Sequence, residues 1–241
     1  MDPKRRKRHL VLALIAAISI TMIFIALDFS PEQWEDGSGR KAAWLNWRAS
    51  LSLAYTAVMF IVATFVLGPL YVLRYRAHLA NYMLRRDVGI WGAGLAFAHV
   101  AFAVTVHAPG GWRIWWHWIQ HLPNAHNPFP IQANLFGLAN YIGLAQAGIL
   151  ALLLLISNNI ALRRLGTRRW KWLQRTSYLA FALIVTHALL YQDIEQRDAL
   201  LRVPLLVLVA ITVTMQVTGF IAVKLNRPIE NSQSLEQSPT L

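Results

Sequence analysis

Six long apolar stretches limit what this chain can fold into. They run over about residues 9–27, 48–73, 88–107, 134–157, 174–192 and 203–224. A helix needs about 20 mostly apolar residues to cross about 30 Å of hydrocarbon. In that solvent the backbone must satisfy its own hydrogen bonds, and a helix does so within one segment. The expected fold is therefore all-α, a polytopic bundle of six transmembrane helices. Composition agrees: 56% of residues are hydrophobic and only 14% charged, against about 25% charged in a typical soluble domain. The first stretch follows a basic segment, but it outruns a signal-peptide core. Asp28 and Pro31 follow it where a small-residue cleavage site would stand, so it reads as a span.

The charges set the orientation. Most of the 23 basic residues fall in four places: 4–8, 74–86, 163–175 and 224–227. The alternate loops carry most of the acids, among them Asp28, Glu32, Glu35, Asp36, Asp193, Glu195 and Asp198. The positive-inside rule then places both termini in the cytoplasm. A formal charge of +12 placed this way is a topology signal and a contact for anionic lipid, and nucleic acid is not an expected partner. The sequence has no cysteine, which excludes disulfides, thiolate metal sites and thioether haem attachment. One domain is expected over 1–228, with a polar tail over 229–241 of the kind that cannot build a core.

Ionisable side chains inside spans are costly and mark function by default. Two stand out, His99 in the third span and His187 in the fifth. Both spans enter from the cytoplasmic side. At 1.5 Å per residue His99 lies roughly 18 Å along its helix and His187 roughly 20 Å along its own. Two imidazoles at one depth on co-directional helices are what bis-histidine ligation of a single haem b requires. Gly89, Gly92, Ala93, Gly94, Ala96 and Ala98 give the third span a small-residue face with room for a flat porphyrin, and Ala180 and Ala188 flank His187. The alternative is that small residues pack helices closely and each histidine bonds a neighbouring hydroxyl or carbonyl.

Other residues extend this site. His107, two turns beyond His99, reads as a haem-propionate contact, a proton acceptor for a quinol, or a headgroup residue. Arg113 is the one basic residue of the loop after it and a candidate propionate partner. Trp112, Trp115, Trp116 and Trp118 suit an interfacial anchor or a roof over a haem or quinone pocket. His117, His121 and His126 lack a carboxylate or cysteine companion and make a weak metal set. Ser50, Ser52, Thr56, Asn140, Gln146, Thr212, Thr214, Gln216 and Thr218 are expected to bond between helices. Pro69 and Pro204 are expected to mark helix ends or kinks.

The run Arg-Arg-Leu-Gly-Thr-Arg-Arg-Trp-Lys-Trp-Leu-Gln-Arg-Thr-Ser-Tyr-Leu (residues 163–179), followed by His187, resembles the ferric-reductase-like transmembrane domain family. So does Arg85-Arg86-Asp87-Val88-Gly89 leading to His99. The resemblance spans about 50–195 and is nearest to haem-binding membrane subunits of periplasmic methionine-sulfoxide reductase systems. It implies a six-helix b-type cytochrome in the bacterial inner membrane. Such a subunit passes electrons from the quinone pool, or from a separate reductase, towards a periplasmic redox partner. The chain departs from the family pattern where Gln174 and Arg85 stand in place of histidines, so one haem is expected. No Gly-x-Gly-x-x-Gly run is present, and FMN or FAD is not expected within the chain. An oxidoreductase subunit without its own flavin or nicotinamide domain is the leading expectation. A haem-less transporter or a complex-assembly subunit is the alternative. Internal repeats of the transporter kind are not evident.

Overall fold

The computed structural model describes residues 3–27, 41–75, 82–107, 135–194 and 199–225. They form seven helices: α1 (Pro3–Ala26), α2 (Lys41–Tyr75), α3 (Tyr82–His107), α4 (Leu135–Ile156), α5 (Asn159–Gln174), α6 (Thr176–Ile194) and α7 (Ala199–Leu225). No strand occurs among the described residues. All but α5 on its own are long and apolar enough to cross a membrane. The chain is thus an all-α bundle of six spans, and six crossings return both termini to one side. The expected spans correspond to α1, α2, α3, α4, α6 and α7. The segment expected as a basic loop before the fifth span is helical as α5. The tail over 229–241 lies outside the described residues.

α2 is the most enclosed span, and α1 and α7 are the least. The reason is visible in its sequence, which is apolar on two sides. Val58, Ile61, Val62 and Phe65 pack with Leu150 of α4, Ala180 and Ile184 of α6, and Leu205 of α7. Ala57 and Phe60, on another face, pack with Leu12 and Ala16 of α1 and with Val88 and Leu95 of α3. Lipid tails are as apolar as these side chains, so close van der Waals fit rather than water exclusion holds the helices together.

Polar pins add to that fit. At the start of α3, Asp87 is fully buried and pairs with Arg8 at 3.0 Å and Arg5 at 3.7 Å, both on α1. One turn along, Trp91 Nε1–H donates to His9 Nδ1 at 3.1 Å. These contacts lock the first turns of α1 to α3. At the other end of α1, buried Arg48 of α2 donates from Nε to the Phe24 carbonyl at 3.1 Å, and its guanidinium lies 4.1 Å from the Phe24 ring centre. The last four carbonyls of a helix lack intrahelical donors and carry the negative end of the dipole. A buried arginine there supplies both a donor and a compensating charge.

The two prolines lie inside helices rather than at their ends. Pro69 has no N–H for the Phe65 carbonyl four residues back. Gln216 of α7 supplies the missing donor, with Nε2 to Phe65 O at 2.6 Å. Gly219 lets the proline ring seat against α7: a Cβ there would lie 2.6 Å from Pro69 Cβ. Near Pro204, the Leu201 carbonyl accepts from Tyr55 Oη–H at 2.9 Å and from Gln192 Nε2 at 3.2 Å. At Pro69 the freed carbonyl is thus satisfied by a side chain of a neighbouring span, which is how bundles tolerate proline. Several expected interhelical pins are instead local. Ser52, Thr212 and Thr218 bond carbonyls one turn back on their own helices.

Candidate functional site

The site is built from two close helix contacts. In the first, α3 lies against α2 through glycines. A Cβ on Gly92 would lie 3.0 Å from Ile61 Cγ1 and 3.3 Å from the Ile61 main-chain nitrogen. A Cβ on Gly89 would meet Thr64 at 3.5 Å. His99 is seven residues past Gly92, two helical turns on, and so shares that face. The close approach brings its Nδ1 to 2.9 Å from the Ser50 carbonyl oxygen and 3.0 Å from Ser50 Oγ. Gly92 was expected to make room for a porphyrin. The room it makes is taken by Phe60 and Ile61 of α2, so its smallness serves helix packing. Gly94, on another face of α3, has nothing within 4 Å of a Cβ.

In the second contact, α6 lies against α4. The His187 ring sits on Gly143, where a Cβ would come within 2.9 Å of its Cε1 and 3.0 Å of its Nδ1. Nδ1 is 2.8 Å from the Ala139 carbonyl oxygen. The Tyr191 ring, one turn on, has its centre 4.9 Å from that of His187. Its hydroxyl donates to Asn140 Oδ1 at 2.8 Å, and Asn140 Nδ2 donates to the Phe136 carbonyl at 2.9 Å. The imidazole is thus held by a glycine floor, a carbonyl and an aromatic neighbour that is itself hydrogen-bonded.

Both histidines therefore have the same local chemistry. A carbonyl oxygen can only accept, so the geometry assigns the proton to Nδ1 in each ring. In the neutral imidazole that leaves Nε2 unprotonated, the tautomer a metal ligand needs. Both rings are half-buried, and the bonds above tie them to different neighbours, α2 and α4.

The remaining expected residues are placed as follows. His107 is the last residue of α3, and its side chain, Arg113, His117, His121, His126 and the tryptophan loop lie outside the described residues. Among the described residues no group of three or more His, Asp or Glu is placed to hold a metal ion. Asn140 bonds Tyr191 beside His187, whereas Gln146 is buried on α4 with its Oε1 unpartnered among the described residues. Arg85 crosses Gly68 of α2, at which a Cβ would lie 3.2 Å from Nη1. Sequence reasoning missed Gly143, Tyr191, Arg48 and the burial of Asp87. Gly143 carries a readable signal, since Ala139, Gly143, Gln146 and Leu150 follow the i, i+4, i+7, i+11 spacing of one helix face.

A comparison with family models and with curated proteins finds no match. The functional reading therefore rests on the residues and their geometry.

Proposed function

We propose that this protein is a membrane b-type cytochrome subunit in which His99 and His187 are the axial ligands of one haem b. The observation that carries the reading is the Nδ1–carbonyl contact shared by two histidines, which lie on separate spans and at similar depth by the sequence estimate. Metal-bound imidazoles characteristically give their other nitrogen to a carbonyl or carboxylate, which fixes the tautomer and the ring orientation. The residues present suit the group in their chemistry: two imidazoles, each with Nδ1 facing a main-chain carbonyl oxygen.

A bound haem would supply one-electron chemistry, its potential set by the axial pair and by burial. The rest is positioning by this chain. The Ser50 and Ala139 carbonyls hold the two Nδ1 protons, Gly143 sets how closely His187 approaches α4, and the Tyr191–Asn140 pair holds the aromatic neighbour of His187 in place. His107 is proposed as a propionate or quinol contact and Arg113 as a propionate partner. On this reading the protein sits in the bacterial inner membrane with both termini in the cytoplasm. It takes electrons from quinol or a separate reductase and delivers them to a periplasmic redox partner.

The test is the visible spectrum of the purified full-length protein, oxidised and then reduced with dithionite. A sharp reduced α-band is expected in the wild type, and its loss in both His99→Ala and His187→Ala. A colourless wild type produced with ample haem supply contradicts the reading. So does a band that survives both substitutions.

A further inference from the structure

α5 is two helical pieces. Gly166 has a φ of 72°, a left-handed conformation that only glycine adopts without strain. The chain turns there, and residues 167–174 lead into the α6 span. Arg175 at the junction stays helical, its N–H bonding Trp172 O and its carbonyl accepting from Tyr178 N–H, each at 3.0 Å. The second piece of α5 thus passes into α6 through a single tightened turn.

An exposed stripe runs along this segment. Arg168, Lys171, Trp172 and Arg175 are spaced i, i+3, i+4, i+7, one face of a helix, and all four are exposed. Trp172 is 65% exposed. Trp170, two residues earlier and so on a different face, donates from Nε1 to the Ile156 carbonyl at 2.9 Å. This bond anchors the helix to the end of α4 and turns the cationic stripe away from it. From Ile156 to Gln192 the sequence has no acidic residue, so the segment carries no counter-charge of its own. The same stripe runs on along α6 through Leu179, Ala182 and Thr186, all exposed.

We propose that Arg168, Lys171, Trp172 and Arg175 form a docking site for the headgroup of an anionic phospholipid, with its acyl chains lying along Leu179 and Ala182. Guanidinium groups bind phosphate oxygens in a bidentate fork. Tryptophan favours the headgroup level, and each basic side chain near a membrane surface adds to the attraction for anionic lipid. The continuation of the stripe into the apolar face of a span favours a lipid over a soluble acidic protein, which would meet only the charged part. The site does not involve the histidine pair.

The test uses the full-length protein in mild detergent, titrated with phosphatidylglycerol or phosphatidylcholine and read as bound lipid by native mass spectrometry. The wild type is expected to take up phosphatidylglycerol on the order of tenfold more strongly. The variant R168Q/K171Q/R175Q is expected to lose that preference. R163Q/R164Q/R169Q, which removes the same charge from the same segment off the stripe, is expected to keep it. Equal uptake of the two lipids by the wild type overturns the proposal, as does equal loss in both variants. So does displacement of phosphatidylglycerol by an equal concentration of inorganic phosphate or of a soluble polyglutamate. An independent readout leaves every charge in place: bromine-labelled phosphatidylglycerol should quench the fluorescence of the wild type more than that of Trp172→Phe, and equal quenching contradicts the site.

Discussion

The His187 ring lies directly on Gly143, so close that a single methyl group at 143 would come within 2.9 Å of Cε1. This contact joins α6 to α4 and fixes where the imidazole stands, so the glycine is as much part of the candidate site as the histidine. Gly143→Ala should push the ring off the Ala139 carbonyl. Overpacking of this kind costs about 1–3 kcal/mol. If His187 ligates haem, the substitution should also shift the reduction potential or lower the haem content. Gly148→Ala, on the same helix with nothing within 4 Å of the new Cβ, should do neither. Potentiometric titration and haem content of the two variants, compared with wild type, provide the check.

Ser50 offers His99 two oxygens, and only one belongs to its side chain. Ser50→Ala removes the hydroxyl and leaves the carbonyl at 2.9 Å. One neutral hydrogen bond is worth about 0.5–1.5 kcal/mol net. The variant should therefore keep its haem and lose little stability, whereas His99→Ala should lose haem altogether. A Ser50→Ala protein without haem would mean that the hydroxyl, not the carbonyl, orients the ring.

Asp87 is a buried carboxylate between two arginines of another helix. Its arginine partners are 40% and 29% exposed and stay solvated without it, so the cost falls below the roughly 3–5 kcal/mol of a fully buried pair. Asp87→Ala should detach the start of α1 from α3. Its thermal denaturation midpoint in detergent should fall, and proteolysis near residues 3–8 should accelerate. Asp87→Glu, which keeps the charge, should fall less.

The proline in α2 makes a separate test of packing. Gln216→Leu leaves the Phe65 carbonyl without the donor that replaces Pro69's missing N–H, a loss of about 1–3 kcal/mol for a buried acceptor. Gly219→Ala would force its Cβ to 3.1 Å from the Pro69 Cα, a backbone contact that cannot swing aside. Both should lower the unfolding midpoint of the purified protein. The double variant Pro69→Ala/Gln216→Leu should recover part of the loss, because the helical N–H returns.

Much of this architecture was legible in the sequence because bilayer thickness fixes helix length. The six spans fall within a few residues of their expected positions, apart from the earlier starts of α1, α2 and α3. His99 and His187 were legible because an ionisable group in an apolar run is conspicuous. Their surroundings were not. Whether Gly92 faces a cofactor or a neighbouring helix depends on the rotation of α3 about its axis, and the small residues around α3 do not settle that rotation. The Ser50–His99 and Ala139–His187 bonds involve main-chain carbonyls, which every residue has and no sequence marks. α5 was missed because it is cationic and lies outside the apolar windows. Arg48 and Asp87 sit where loop charges are expected, and only packing shows that they are buried.

The bis-imidazole assignment can be tested most directly by electron paramagnetic resonance of the oxidised, full-length protein, with haem counted per chain. One haem per chain with a low-spin signal of two imidazole ligands is expected, giving way to a high-spin or haem-free form when either His99 or His187 is replaced by alanine. A wild-type protein that binds no haem, or one whose low-spin signal persists without His99 or without His187, would contradict it.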